Sequence, residues 1–204
     1  MSPIVHMGRA SLHEDATAIA QPVSLDARAR LQFVRELARR LQASALPSLG
    51  KVGRHIALLS NDLAVGADQS NFAARDRGTE SRPLGRVMIV TGPDTGAFSL
   101  ALNVTSCVAC GNDVSLALTS RPDSQVRAFL DMVRPMGVKI VDWATIAAEG
   151  RWASLPDDLH IAIVTRSHVL IENAAPRHFP TDCRYAETRR TLLRLYRTPE
   201  PAVL

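Results

Sequence analysis

The chain has 204 residues, of which 46% are hydrophobic and 22% are charged. This is an ordinary composition for a globular protein and fits one domain with its own core. Only 4% of the residues are aromatic, which argues against a surface that stacks the bases of single-stranded nucleic acid. The net charge is +4, but the arginines are spread along the chain among acidic residues, so nucleic-acid binding is not expected.

The cysteines and the apolar runs indicate a cytoplasmic protein. Cys107, Cys110 and Cys183 make an odd count, which favours reduced thiols over a disulfide framework. No secretory leader is recognisable, and no apolar run reaches the roughly 18 residues of a membrane span. The histidines and cysteines do not stand at the spacing of a zinc site, so no metal is expected.

We predict three regions along the chain. Residues 1–23 show no sustained periodicity and are interpreted as an N-terminal arm. Residues 24–175 are interpreted as one α/β domain. Residues 176–204 are interpreted as a C-terminal arm that contacts another subunit or a partner.

Two helices are predicted at the start of the domain. Ser24 is interpreted as the cap of the first helix, in which apolar residues recur at helical spacing from Leu31 to Leu41. Pro47 and Gly50 are predicted to end this helical stretch. A second helix is predicted from about His55 to Val65.

Four strand-like runs then alternate with helical segments. The predicted strands are Val87–Thr91, Val114–Leu118, Val138–Trp143 and Ile161–Thr165. The predicted helices are Ala97–Cys110, Ser124–Val133 and Ala144–Ala153. Almost continuous apolar runs at this spacing indicate a parallel sheet covered on both faces. With right-handed crossovers the sequence therefore predicts an α/β fold with a doubly wound, mostly parallel, Rossmann-like sheet.

The segment at residues 191–198 fits either a strand or a short helix. Leu193 and Leu195 alternate with Arg194 and Tyr196, and this alternation favours a half-exposed strand. A lone terminal strand needs a sheet edge, so we expect it to pair with another subunit.

Residues 83–112 carry the most specific pattern. In order they hold Pro-Leu-Gly at 83–85, a strand, a glycine-rich turn at 92–96, a crossover helix and Gly-Asn at 111–112, and Thr165 and Ser167 supply a later T-x-S. From about Ser24 to Ser167 this order and spacing resemble the nucleotide-binding half of aldehyde dehydrogenases. The resemblance implies a Rossmann-like fold.

The departures from that family concern its chemistry. Asp94 stands where the family has an Asn that donates to the oxyanion, and an ionised carboxylate repels that charge. Ala117 replaces the Lys that binds the adenosine ribose, and Ala144 and Arg166 replace glycines near the cofactor. The family's general base and nucleophile lie beyond the 37 residues that follow Ser167. The resemblance therefore implies a truncated, degenerate half that does not oxidise aldehydes, with no cofactor beyond residual NAD(P) binding.

The glycine-rich turn is the candidate site. It precedes a helix, whose free N–H groups and dipole suit an anion, although the G-x-G-x-x-G pattern is absent. Arg166 and Ser167 follow a strand on the side where doubly wound sheets bind ligands. With Asp94 as candidate general base, Thr95, Gly96, Arg166 and Ser167 are predicted to line one crevice for an anionic substrate. The alternative is that Asp94 or Thr95 caps the helix and Gly96 permits tight packing.

The cysteines and histidines are interpreted mainly as structural residues. Cys107 and Cys110 share one helix face and are predicted to be buried. Cys183 is placed in a polar, exposed segment, where a reactive thiol is the alternative. His160 and His168 flank a predicted strand and are interpreted as edge residues.

Two functions are predicted. The altered positions and the terminal strand favour a non-catalytic aldehyde dehydrogenase-like protein, a pseudoenzyme that acts by association with itself, as a homo-oligomer, or with a partner subunit. The alternative is a small-molecule biosynthetic enzyme of the lyase or elimination/cyclisation type, with Arg166 holding a leaving anion.

Overall fold

The computed structural model describes residues 26–68, 82–144, 155–171, 177–179 and 182–198. The helices are α1 (Ala27–Gln42), α2 (Pro47–Asp68), α3 (Ala97–Ala109), α4 (Ser124–Val133) and α5 (Ala186–Arg194), with a 3-10 turn at Arg134–Met136. The strands are β1 (Arg86–Thr91), β2 (Asp113–Leu118), β3 (Lys139–Asp142), β4 (Leu159–Val164), β5 (His168–Ile171) and β6 (Arg177–His178).

These strands form one mixed sheet in the order β3-β2-β1-β4-β5-β6. The first four run parallel, and Val87 in the central strand β1 pairs with Val114 on one side and His160 on the other. Strands β5 and β6 are antiparallel additions at one edge. The predicted α/β, Rossmann-like fold with an N-terminal helical segment is confirmed.

The strand order creates a topological switch point. The chain leaves β1 toward β2 and β3, and later returns to place β4 against the other edge of β1. The last residues of β1 and β4, Thr91 and Val164, are therefore paired side by side. Ligands of open α/β sheets bind at the carboxyl ends of the strands at such a point.

One face of the sheet holds most of the core. Val87 and Ile89 of β1 point to this face and join a large buried cluster with α1, α2, α3, α4 and α5. Helix α3 is buried at every position except Phe98, because α1 and α2 pack on the side turned away from the sheet. A smaller cluster around Met88, Val90 and Ala117 lies on the opposite face.

The two N-terminal helices begin at residues other than those predicted. Asp26, not Ser24, caps α1, because its carboxylate accepts from the amide of Ala29 at 2.7 Å. Helix α2 begins at Pro47 and continues through Gly50, so the prediction that these residues end a helix is wrong. Proline suits the first position of a helix, where its missing N–H would have had no partner.

The predicted C-terminal strand is also wrong. Residues 186–194 form helix α5, and Leu192, Leu193 and Tyr196 are buried in the large core cluster. The alternation of apolar and polar residues that favoured a strand extends over only four residues. The same apolar side chains also fit the spacing of a helix. The apolar residues expected to seek a partner's sheet are thus covered by this chain, although Arg197 forms an isolated bridge with Pro83.

Several predicted segments lie outside the described residues. The N-terminal arm at 1–23 and the helix predicted at Ala144–Ala153, apart from Ala144 itself, belong to them. Among the helices that are described, none combines the length and the apolar character needed to cross a bilayer.

Candidate functional site

The turn at residues 92–96 connects β1 to α3 and begins with a close approach to β4. The amide of Gly92 donates to the carbonyl oxygen of Val164 at 2.7 Å. A Cβ at position 92 would lie 2.9 Å from that oxygen and 3.1 Å from Cγ2 of Thr165. Glycine is required here because the backbone of β4 occupies the space of a side chain.

Thr95 fastens the same turn to β4. Its hydroxyl lies 2.8 Å from the carbonyl oxygen of Gly92 and 2.5 Å from that of Val164. Both partners are acceptors, so the single hydroxyl proton is directed to the main chain. Thr95 therefore holds the turn against the end of β4 and does not cap α3.

The N-terminus of α3 is bare. Its N-cap residue is Gly96, which has no side chain to cap the helix, and the first turn contains no acidic residue. Apart from its two chain neighbours, no atom of the described residues lies within 4 Å of the position that a Cβ at Gly96 would occupy. The alternative that Asp94 or Thr95 caps the helix and Gly96 packs tightly is wrong, since the tightly packed glycine is Gly92. The first-turn N–H groups have no acceptor within the helix and lie at the positive end of its dipole.

Asp94 lies at the rim of this turn. It is exposed and has a left-handed backbone with a φ of 62°, a conformation that Asp adopts more readily than most residues. Its carboxylate is surrounded by solvent, without the apolar pocket that usually accompanies a carboxylate general base.

The turn between β4 and β5 carries Arg166 and Ser167. The hydroxyl of Ser99, in the first turn of α3, donates to the carbonyl oxygen of Arg166 at 2.7 Å. This bond holds the β4–β5 turn against the start of α3, while the side chain of Arg166 remains exposed. Oγ of Ser167 lies 3.0 Å from Nδ1 of its neighbour His168.

The structure thus brings the predicted residues of both turns to the switch point. Two residues that line this edge, Ser99 and Thr119, were not predicted from the sequence. Ser99 was hidden inside a helix. Thr119 follows β2 and donates twice to Thr91, from its amide to Oγ1 at 3.0 Å and from its hydroxyl to the carbonyl oxygen at 2.5 Å. The available signal was a threonine at the end of β1 and another directly after the neighbouring strand β2.

The cysteines are not part of a reactive site. Burial raises the pKa of the Cys110 thiol to about 11 and that of the Cys183 thiol to about 11, and it raises the pKa of the Cys107 thiol as well. Cys183 is only 1% exposed, so the prediction that it lies in an exposed segment is wrong, and burial counts against the alternative of a reactive thiol. Within the described part of the chain, no group of His, Cys, Asp and Glu side chains is placed to hold a metal ion.

A depression lies at the amino ends of the parallel strands, away from the two turns. It is shallow, opens to solvent, and is lined by the amino ends of the four parallel strands, including Arg86, Asp113 and Lys139. Arg86 is paired with Asp158 at 3.3 Å. The charged residues that line this depression are of mixed sign. The depression lies at the amino ends of the parallel strands, where α/β proteins seldom bind ligands.

No protein-family model matches the chain, and no curated protein matches it. Solved structures similar to it include lactaldehyde dehydrogenase from Escherichia coli, with 14% identity over 76% of this chain and a TM-score of 0.39. Another is a glyceraldehyde-3-phosphate dehydrogenase from Methanocaldococcus jannaschii, complexed with NADP, with 10% identity over 80% of this chain and a TM-score of 0.40. A third is aldehyde dehydrogenase 21 from Physcomitrella patens, with 14% identity over 77% of this chain and a TM-score of 0.35.

The chain spans less than half the length of each of these proteins, namely 42%, 47% and 44%. All three are aldehyde dehydrogenases of one kind or another, the family that the sequence resembles. A likeness of this extent supports no conclusion about activity, substrate or cofactor.

Proposed function

We propose that this protein binds a small anionic molecule at the switch-point crevice, defined as the space bounded by residues 92–96, the first turn of α3, and the turn with Arg166 and Ser167. The observation that carries the proposal is the N-terminus of α3, which has no side-chain cap. Apart from the two chain neighbours of Gly96, no atom of the described residues lies within 4 Å of its absent Cβ.

The charges around the crevice favour an anion with oxygen atoms. The N-terminus of a helix carries the equivalent of roughly half a positive charge. Arg166 stands in the adjoining turn, held there by the bond from Ser99 to its carbonyl oxygen. A guanidinium binds phosphate, sulfate or carboxylate through two parallel hydrogen bonds. A phosphate or carboxylate group of a small metabolite fits this combination.

Gly96 provides a direct experiment. In Gly96→Asp, the new carboxylate has room to accept from the first-turn amides and to repel an incoming anion. Gly96→Ala fills part of the same space with no acceptor and serves as the matched control. Thermal unfolding in inorganic phosphate, compared with chloride of equal ionic strength, should show stabilisation in the parent and in Gly96→Ala, because a bound ligand stabilises the folded state.

The result that contradicts the proposal is equal phosphate stabilisation in Gly96→Asp and in the parent. NAD and NADP are included as separate titrants. Stabilisation by phosphate but not by NAD or NADP would indicate a ligand other than the dinucleotide cofactor of dehydrogenases.

The alternative function, a small-molecule biosynthetic enzyme, would use the same anion site to bind its substrate. A lyase or elimination step needs a base beside the bound anion, and Asp94 is the exposed carboxylate at the rim. Asp94→Asn should tighten anion binding, since it removes a negative charge near the site. Activity that survives in this variant would exclude Asp94 as the base.

A second candidate function is association through the sheet. Ile163 is 37% exposed, and it pairs across the strands with the half-buried Leu170 on the same face. Size-exclusion chromatography with light scattering should show an oligomer that Ile163→Lys dissociates. Leu58→Lys, at a residue of α2 with the same 37% exposure, is the matched control. A parent that is monomeric at all concentrations contradicts association with itself.

A further inference from the structure

The C-terminal segment, residues 182–198, is anchored to α2 by a buried histidine. His55 is 8% exposed, and its Nδ1 accepts a hydrogen bond of 3.0 Å from the backbone amide of Cys183. The bond joins positions 128 residues apart in sequence. It fixes the turn at residues 182–185, which leads into α5.

This hydrogen bond depends on the protonation state of the ring. A backbone amide is always a donor, so Nδ1 of His55 must present its lone pair. Protonation places a second N–H on the line between the two nitrogens, and the attraction becomes a repulsion. The contact therefore exists only with the neutral ring.

The surroundings of His55 also favour the neutral ring. Burial is the main cause that lowers its pKa below 6.5, and the cations Lys51, Arg54 and Arg184 act in the same direction. Asp182 opposes them, but its carboxylate is already bonded to Arg184 at 2.6 Å. From α3, the uncharged ring of Phe98 meets His55 edge-on at 5.9 Å between centroids.

We propose that His55 is a proton-operated latch for the turn at residues 182–185. With the ring neutral, the turn is closed and Cys183 is buried; with the ring protonated, the turn opens and Cys183 becomes accessible. The opening is local, because α5 remains held by Arg189, which is bonded to Asp62 at 3.0 Å, and by Tyr196, whose hydroxyl donates to Asn103 at 2.7 Å. Arg189 also donates to the carbonyl oxygens of Cys183 and Arg184 at 2.8 Å. These two bonds must break as well when the turn opens, and they add to the cost of opening without depending on the state of His55. The latch is independent of the anion site.

The direction of the pH effect follows from linkage. The closed turn holds His55 with a lowered pKa, so the open turn binds more protons as the pH falls below about 6.5. The ratio of open to closed turn should therefore rise on acidification, at a rate approaching tenfold per pH unit for one proton. Above about pH 7 the ratio should be flat.

The experiment measures thiol labelling of the three cysteines separately, by mass spectrometry, with a disulfide reagent that reacts down to acid pH. Each rate is divided by the rate of the unfolded chain at the same pH, which removes the titration of the thiol itself. Between pH 7.5 and pH 5.5 the corrected rate of Cys183 should rise severalfold, up to about tenfold, while those of Cys107 and Cys110 stay constant. An equal rise at all three cysteines would indicate global unfolding and would overturn the proposal.

The decisive variant is His55→Asn. The Asn oxygen takes the place of Nδ1 as acceptor but does not titrate, so the corrected rate of Cys183 should lose its pH dependence. The same slope as in the parent would overturn the latch. If this variant does not fold, NMR titration of the His55 ring in the parent replaces it. The ring midpoint must then coincide with the acid limit of the labelling transition, and a difference of more than one pH unit overturns the proposal.

Discussion

At the scale of the residue, Gly92 and Gly96 stand in one turn but have opposite surroundings. A Cβ at Gly92 would meet the carbonyl oxygen of Val164 at 2.9 Å, whereas a Cβ at Gly96 would meet nothing within 4 Å. We expect Gly92→Ala to destabilise the protein by about 1–3 kcal/mol through overpacking. Gly96→Asp should stabilise it by about 1 kcal/mol, because it adds a charged cap to α3. Urea unfolding checks both, and a stabilising Gly92→Ala or a destabilising Gly96→Asp would contradict this account of the turn.

Tyr196 allows a second prediction at this scale. Its hydroxyl donates to Asn103 Oδ1 at 2.7 Å, and both side chains are fully buried. Tyr196→Phe leaves that oxygen without its donor in the core, so we expect a loss of about 1–3 kcal/mol in the free energy of unfolding. Tyr185→Phe is the control, since Tyr185 is 64% exposed and water replaces any bond that it makes. Equal effects of the two variants would argue against a buried Tyr196.

Local chemistry explains which single residues could be predicted from the sequence. Asp123 caps α4 as its position before an apolar helix suggests, with Val126 donating at 2.7 Å. Thr95 was predicted to line the crevice, but its bond to β4 could not be predicted because its partner, Val164, is 69 residues away. Cys183 looked exposed among polar neighbours, but Arg189 and His55 bond to its backbone and cover it.

At the scale of the element, α2 contains two glycines one turn apart with different roles. Gly53 lies where α1 approaches most closely, and a Cβ there would be 2.7 Å from the backbone nitrogen of Gln42. Gly50 has open space around it. We expect Gly50→Ala to stabilise the protein by roughly 0.5–1 kcal/mol through helix propensity. Gly53→Ala should destabilise it by about 1–3 kcal/mol. Chemical denaturation of the pair, one being the control for the other, checks the packing of α1 on α2.

Helices and strands could be predicted where one hydrophobic pattern, helical or strand-like, extends over a long segment. Strands β1 and β2 and helices α3 and α4 were found within about one residue at each end, because their apolar runs are long. The stretch containing Leu193 and Tyr196 was assigned to a strand because an alternation over four residues fits two periods, and packing on α3 decides for the helix. Strand β5 was missed because its turn, residues 165–167, has none of the glycine or asparagine that usually marks a hairpin.

At the scale of the whole molecule, a partly buried ion pair joins the C-terminal helix to the N-terminal helical layer. Nη2 of Arg189 donates to Asp62 at 3.0 Å, and their side chains are 9% and 25% exposed. The second oxygen of Asp62 accepts from Nε of Arg189, which makes the pair bidentate. Arg189 also donates to the carbonyl oxygens of Cys183 and Arg184 at 2.8 Å. Removing one charge therefore leaves the other uncompensated.

We expect Asp62→Asn to lower the free energy of unfolding by about 3 kcal/mol, as for other interrupted buried pairs. Glu36→Gln is the control, because its partners Arg39 and Arg40 lie on the surface of the same helix and solvent screens the pair. Thermal and urea unfolding would contradict the account if the two variants lost equal stability.

The parallel direction of strands β1 to β4 followed from their apolar runs and the helices between them. The position of the switch point did not, because only pairing in three dimensions shows that β4 returns to β1. The candidate site was therefore foreseen as two turns of suitable residues, and the open helix end between them came from the fold.

The central claim is that the bare N-terminus of α3 receives an anion, and amide NMR of the isotope-labelled protein during a phosphate titration tests it most directly. The claim predicts saturating shifts of the Ala97, Phe98 and Ser99 amides in the parent and in Gly96→Ala, and none in Gly96→Asp. Amides that do not move at high phosphate, or shifts scattered over surface arginines and unchanged in Gly96→Asp, would contradict it.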